Sequence, residues 1–176
     1  LANYDRLSNQ VAAVEGVVKV TPMIEGQVMA SANGQATGAL VRGLKPADLR
    51  ARAILAENIQ FGDLENFMGL DNVLIGTRLA RKLGLRVGDK LTLISPNGNI
   101  TAFGTVPRLR SYKIAALFKV GMHEYDSSFI FMPLVAAQKY FKLPQAVNYL
   151  DVVIAEPDEA RAKIREVWRA VGAQGR

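Results

Sequence analysis

The sequence predicts an α+β fold of two lobes, in which both chain ends form an α/β lobe and the middle is inserted as a β-rich lobe. Helix-like apolar spacing occurs near both ends, and β-rich segments with turn signals fill much of the interval between them. A length of 176 residues accommodates two small subdomains. We assign residues 1–45 and 145–176 to the first lobe and residues 46–144 to the second.

The first segment has the periodicity of an amphipathic helix. Its apolar side chains recur at three- and four-residue steps from Tyr4 to Val14, and Gly16 follows as a C-cap. From Val17 to Leu44 the pattern becomes β-rich around Asn33-Gly34, a dipeptide that favours a two-residue hairpin turn. This part of the sequence therefore predicts a helix followed by a long hairpin.

The middle of the chain predicts short alternating elements. Residues 45–48 open a short helix or turn, whereas residues 55–69 give no clear pattern. Residues 73–76 form an apolar strand, Thr77 caps a helix that ends at Gly84, and a turn then leads into a strand through Ile94.

The remaining elements follow the same alternation. Residues 112–118 and 128–132 predict strands, and Pro133 begins a helix through Tyr140. A last strand spans residues 150–155, and a last helix runs from Pro157 to Val171. Trp168 has apolar neighbours at helical spacing on that helix, which predicts a core or interlobe position.

Composition excludes several classes of function. Because cysteine is absent, disulfides, thiolate metal sites and cysteine nucleophiles are excluded. The net charge of +6 arises from scattered Lys and Arg, which argues against nucleic-acid binding. No Asp or Glu occurs in the interval from Lys90 to His123. No glycine-rich phosphate loop is present, so we expect no cofactor.

The segment around His123 is the one place where catalytic residue types collect. His123, Ser127 and Ser128 lie beside two acidic residues, but consecutive side chains point in different directions. We interpret this stretch as a polar turn between strands, with no metal and no catalytic residue, and keep a hydrolase using these serines as an alternative. The domain is not expected to be an enzyme.

The segment from Ser95 to Ser111 is long for a connection between two predicted strands. Its glycines and prolines shape the backbone, and its apolar side chains lack a core of their own. They are either tucked back in an ordered loop or presented to a partner. Arg108 and Arg110 point the same way from an extended strand and could bind a carboxylate surface.

Three stretches resemble landmarks of one known family. They are residues 84–89 (GLRVGD), residues 101–107 (TAFGTVP) and residues 125–134 (YDSSFIFMPL). Together they resemble the LolC/LolE family of lipoprotein-releasing ABC transporter permeases. The resemblance implies a MacB-like periplasmic core fold, with a Porter-like first lobe and a Sabre-like second lobe. It also implies a soluble periplasmic piece of a bacterial inner-membrane protein.

The resemblance further implies a function in binding and mechanical transmission. Members work with a partner permease subunit and a separate cytoplasmic ATPase, and pass lipoproteins to the soluble carrier LolA. A protruding hairpin called the Hook grips LolA, beside a patch called the Pad. In this resemblance the segment from Pro96 to Pro107 aligns with the Hook, within a hairpin at about residues 95–111, and Arg110 falls on a Pad arginine. The Hook favours a LolC-like or LolF-like subunit over a LolE-like one.

The resemblance assigns partner binding to one set of residues: Pro96, Ile100, Thr101, Phe103, Gly104, Val106, Pro107, Arg108 and Arg110. Departures occur at Phe103, where some members have methionine, at Leu109, where the Pad can be polar, and at Thr92, which replaces a Pad arginine. The alternative is a MacB-like efflux or FtsX-like signalling domain that docks a different periplasmic partner.

Overall fold

A computed structural model describes residues 1–172. The helices are Tyr4–Ala12 (α1), Pro46–Arg50 (α2), Ala53–Ala56 (α3), Thr77–Leu83 (α4), His123–Ser128 (α5), Leu134–Tyr140 (α6) and Ala160–Val171 (α7). The strands are Val17–Ala32 (β1), Gln35–Leu44 (β2), Ile59–Gly62 (β3), Asn72–Gly76 (β4), Lys90–Thr101 (β5), Gly104–Phe118 (β6), Phe129–Pro133 (β7) and Tyr149–Ile154 (β8).

The strand pairings close into a ring. Its order is β1-β2-β7-β4-β6-β5, and β5 pairs back to β1. Two pairs, β2 with β7 and β4 with β6, are parallel, and the others are antiparallel. Closure of a ring removes strand edges that would otherwise expose backbone groups. Outside the ring, β8 pairs with the first part of β1 and β3 pairs with the last part of β6.

Two apolar clusters form the core. The larger one joins the ring strands to α4 and α6, and includes Ile24, Leu93 and Tyr140. The smaller one joins the opposite faces of several strands to α2 and α3, and includes Phe67 and Phe118. The mixture of helices and strands confirms the predicted α+β class.

The first hairpin confirms the local turn prediction. Asn33 and Gly34 connect β1 to β2 with φ angles of 50° and 75°. Positive φ at both central residues is the requirement of a type I′ turn, which Asn-Gly tolerates well. Gly84 ends α4 with a left-handed φ of 65°, as the sequence predicts.

Several predictions of detail are wrong. Gly76, not Thr77, is the N-cap of α4, and no side chain caps it. The strands predicted to end at Ile94 and to begin at Tyr112 are longer than expected, because β5 and β6 continue through residues 95–111 as a hairpin. Residues 123–128 form the short helix α5 instead of a turn. Trp168 is 57% exposed, so it is not a core residue.

One strand of the first predicted lobe pairs with strands of both lobes. The first part of β1 pairs with β8 from Val17 to Met23, and its second part pairs with β2 and β5. β2 in turn pairs with β7, which lies in the range assigned to the second lobe. The lobes therefore share a sheet, and their division at residue 45 stays a prediction.

Candidate partner-binding hairpin

The outer parts of β5 and β6 form a two-stranded projection. β1 pairs with β5 only as far as Ile94, and β4 pairs with β6 only from Lys113 onward. Beyond the pair Ser95↔Arg108, within the described chain, the two strands pair only with each other. We call residues 96–107 the free hairpin.

The turn of the free hairpin is held by its own polar groups. Thr101 pairs with Gly104 across a two-residue connection. The Thr101 hydroxyl donates to the Gly104 carbonyl at 2.8 Å and accepts from the Phe103 amide at 3.3 Å. Gly104 has a φ of 112°, which is available to glycine and strained for other residues. These contacts, all within residues 101–104, define the shape of the tip.

A bulge shapes the middle of the free hairpin. The register shifts between Ser95 and Asn99, so that β5 supplies more residues than β6 over this interval. A Cβ atom placed on Gly98 would lie 1.8 Å from the carbonyl oxygen of Val106. Only glycine permits this approach of the two backbones. Pro96 and Pro107 are exposed residues within this unpaired interval, where the absence of an amide donor is tolerated.

The tip presents apolar side chains to solvent. Phe103 is 101% exposed and Ile100 is 90% exposed, while Val106 is half-exposed. Leaving a phenylalanine in water forgoes about 1.5 to 3 kcal/mol of burial. An apolar tip on a shaped backbone is therefore suited to insertion into an apolar groove of another molecule.

Arg108 joins the base of the free hairpin to α6. Its Nη1 donates to the carbonyl oxygen of Tyr140, and its guanidinium lies 5.8 Å from the centre of the Tyr140 ring. Burial raises the pKa of Tyr140 to about 12, while the nearby Arg108 opposes this increase. Arg108 thus holds the hairpin against the body of the domain.

Arg110 is also engaged within the chain. Its Nη2 donates to the Asp71 carboxylate at 3.0 Å, and its guanidinium lies 5.6 Å from the Tyr112 ring. Burial raises the pKa of Tyr112, and the charge of Arg110 opposes that effect. Both arginines are half-buried and share a face, so a partner would have to compete for guanidinium groups that already have contacts.

The opposite face of the sheet carries an apolar row that the sequence did not reveal. Met29 pairs with Ile94, and Ile94 pairs with Leu109, across three adjacent strands. Met29 and Leu109 are exposed. Beside this row Thr92 and Ser111 share a hydrogen bond of 3.0 Å. This row extends the exposed surface of the free hairpin onto the ring.

The described contacts of Ser127 and Asp126, beside His123, are with backbone groups. The Ser127 hydroxyl donates to the backbone carbonyl of His123 at 2.6 Å, not to a ring nitrogen. Asp126 is buried and accepts from the amides of Val120 and Gly121, so it stabilises the loop before α5. Within residues 1–172, no group of three potential ligands could hold a metal ion.

The chain resembles known proteins in sequence. It matches the family described as MacB-like periplasmic core domain over residues 2–169. It is 30% identical to the lipoprotein-releasing system transmembrane protein LolC of Neisseria meningitidis serogroup B, over 84% of this chain and 36% of that protein. Identity to LolC of Xylella fastidiosa is 27%, over 72% of this chain and 31% of that protein. The chain thus spans about a third of these relatives.

Solved structures share the fold. The extracellular domain of the noncanonic ABC-type transporter YknZ from Gram-positive bacteria matches with a TM-score of 0.61 and 15% identity, over 95% of this chain and 81% of that one. The periplasmic region of MacB from Actinobacillus actinomycetemcomitans matches with a TM-score of 0.59 and 9% identity, over 97% and 73%. None of the helices within residues 1–172 is long and apolar enough to cross a membrane.

Proposed function

The chain belongs to the family of MacB-like periplasmic core domains, and from this premise we propose that its free hairpin docks a soluble LolA-like carrier that receives lipoproteins. It is a LolC-like periplasmic domain of an ABC transporter permease. In the proposal, a partner permease subunit and a separate cytoplasmic ATPase complete the transporter. The domain itself contributes binding and transmission of movement.

The exposed tip of the free hairpin carries this proposal. Phe103 and Ile100 lie in water at the end of a projection that makes its own turn contacts. A docking carrier would restore about 1.5 to 3 kcal/mol for the phenylalanine alone. Residues of this kind at the centre of an interface commonly provide much of the binding energy.

The base of the free hairpin supports the same function. Arg108 is hydrogen-bonded to Tyr140 and Arg110 to Asp71, so the base of the projection is attached to the body of the domain. Preorganisation lowers the entropic cost of docking, since less backbone has to be ordered on binding. The proposed contacts with the carrier are therefore made by the tip, with Leu109 and the adjoining apolar row as a second contact.

The experiment measures the affinity of this domain for LolA from the same organism by calorimetry. We expect Phe103→Ala to weaken binding by about 10- to 100-fold, because a tenfold change corresponds to about 1.4 kcal/mol. Ile54→Ala is the matched control, since Ile54 is an exposed apolar residue on α3. It should leave the affinity unchanged, and both variants should unfold at the temperature of the unmodified domain.

Two results would contradict the proposal. If the unmodified domain does not bind LolA at high concentration, a MacB-like or FtsX-like domain with another partner becomes the better description. If binding occurs but Phe103→Ala and Ile54→Ala behave alike, the free hairpin is not the docking site.

A further inference from the structure

A basic groove lies at the end of β6 opposite to the free hairpin. It consists of two adjoining cavities of about 230 and 460 Å³ that share Phe61, Thr77 and Arg81. Cationic side chains from α4, from the turn after it and from the end of β6 line the two cavities: Arg78, Arg81, Arg86 and Lys119. We call this surface the basic groove.

The cationic side chains of the basic groove form no ion pairs among the described residues, although the Asp89 carboxylate accepts from the Arg86 backbone amide at 2.8 Å. Within residues 1–172, no carboxylate lies in ion-pair distance of any of its four cations. Neither cavity is lined by an acidic residue. The contrast with Arg108 and Arg110 is informative, because those arginines already have partners in the chain. Like charges held together favour a ligand of opposite charge.

The floor and rim of the basic groove are apolar. Leu85 and Leu117 are buried beneath it, whereas Phe61 is 63% exposed at the boundary between the two cavities. An inorganic anion would use the cations but not this aromatic side chain. A ligand that uses both has to carry acidic groups and apolar groups side by side.

A strand edge borders the basic groove. Phe61 belongs to β3, which lies outside the ring and pairs with β6 on one side. Within the described residues, no strand pairs with its other side. An unpaired edge of this kind can accept an extended peptide as an added strand, with backbone hydrogen bonds for affinity and side-chain pockets for specificity.

We infer that the basic groove binds an extended acidic peptide segment of a partner protein, laid along β3. Its carboxylates would lie on Arg78, Arg81 and Lys119, and an apolar side chain would pack on Phe61 above the floor. The site is separate from the free hairpin, which lies at the other end of β6. The inference therefore does not depend on the docking of a carrier at the hairpin.

The test uses the 176-residue chain and a short labelled peptide that alternates glutamate and valine. Fluorescence anisotropy measures its affinity, and a peptide with lysine in place of glutamate is the charge control. We expect only the glutamate peptide to bind, and the double variant Arg78→Gln/Arg81→Gln to weaken binding by about tenfold or more. The double variant Arg161→Gln/Arg165→Gln removes two exposed charges from α7 and should weaken binding by less than about twofold.

Amide hydrogen exchange locates the bound peptide. Amides of residues 59–62 should exchange more slowly in the complex, because the added strand pairs with them. Equal losses in the two double variants would overturn the inference, since binding would then depend on net charge alone. Equal affinity for a single-stranded oligonucleotide would also overturn it, as would protection confined to residues 96–107. Carrier binding at the free hairpin should be unchanged in Arg78→Gln/Arg81→Gln. A failure of peptide binding can therefore be distinguished from a failure of carrier docking.

Discussion

The domain contains two long hairpins with two-residue turns, and they differ in what their tips contact. In the β1–β2 hairpin, the Asn33 side-chain amide donates to the carbonyls of Leu83 and Gly84 at 2.8 and 3.1 Å. Lys82 also donates to the Thr37 hydroxyl at 2.8 Å. In the β5–β6 hairpin, the polar contacts at the tip are internal to the turn.

The side chains of the two hairpins differ in burial. β1 and β2 place Val28, Ala30, Ala39 and Val41 in the core. The free hairpin has no buried side chain among those described from residue 96 to residue 107. A hairpin that contributes to stability alternates buried and exposed residues, while one that is exposed on both faces is available for recognition.

The largest effect expected from this comparison is on stability. Ile24→Ala in β1 should lower the free energy of unfolding by about 2 to 5 kcal/mol, because Ile24 is fully buried in the larger core cluster. The matched variant Ile100→Ala should change it by less than about 0.5 kcal/mol, because that side chain is exposed. Urea denaturation measures both. A large loss from Ile100→Ala would show that the free hairpin supports the core and would remove the contrast.

A smaller effect is expected at the turn of the β1–β2 hairpin. Asn33→Ala should lower the free energy of unfolding by about 1 to 2 kcal/mol, since two hydrogen bonds are lost and alanine is strained at positive φ. Thr101→Val removes the equivalent tip contacts of the free hairpin and should cost less than about 0.5 kcal/mol, because these contacts are exposed. Thermal unfolding of the two variants compares them, and equal losses would contradict the distinction between a tethered tip and a free one.

The smallest effect concerns alkaline pH at the base of the free hairpin. The folded chain holds the pKa of Tyr140 at about 12, whereas an unfolded tyrosine ionises near 10. As pH rises from 10 to 12, the unfolded state releases this proton first, so the free energy of unfolding should fall. Tyr140→Phe should make that decline shallower, as measured by urea denaturation across this range. An unchanged slope would show that the Tyr140 phenol does not contribute.

Features that depend on neighbouring residues could be predicted from the sequence. The Asn33-Gly34 turn follows from the backbone freedom of two residues, and the end of α4 at Gly84 follows from one. The apolar character of residues 100–106 was equally visible, and that these residues bind a partner stays a prediction. The N-cap of α4 lies at Gly76, one residue before the predicted Thr77.

Features that depend on distant residues could not be predicted in this way. Pro96 and Pro107 disfavour strand structure locally. β5 nevertheless continues past Pro96 and β6 past Pro107, because the two strands pair with each other on both sides of the bulge. Arg108 contacts Tyr140 and Arg110 contacts Asp71, and these partners lie 32 and 39 residues away along the chain. The row formed by Met29, Ile94 and Leu109 also requires the register of three strands. The basic groove joins α4, β3 and the end of β6, which no local pattern brings together.

The length of β1 has a mechanical consequence. Its 16 residues extend over about 50 Å as one continuous strand. The first part of β1 pairs with β8, and its last part pairs with β5, the strand that leads into the free hairpin. If β1 tilted as a rigid body by a few degrees about its β8 end, its far end would move by several ångströms, in proportion to the length of the arm.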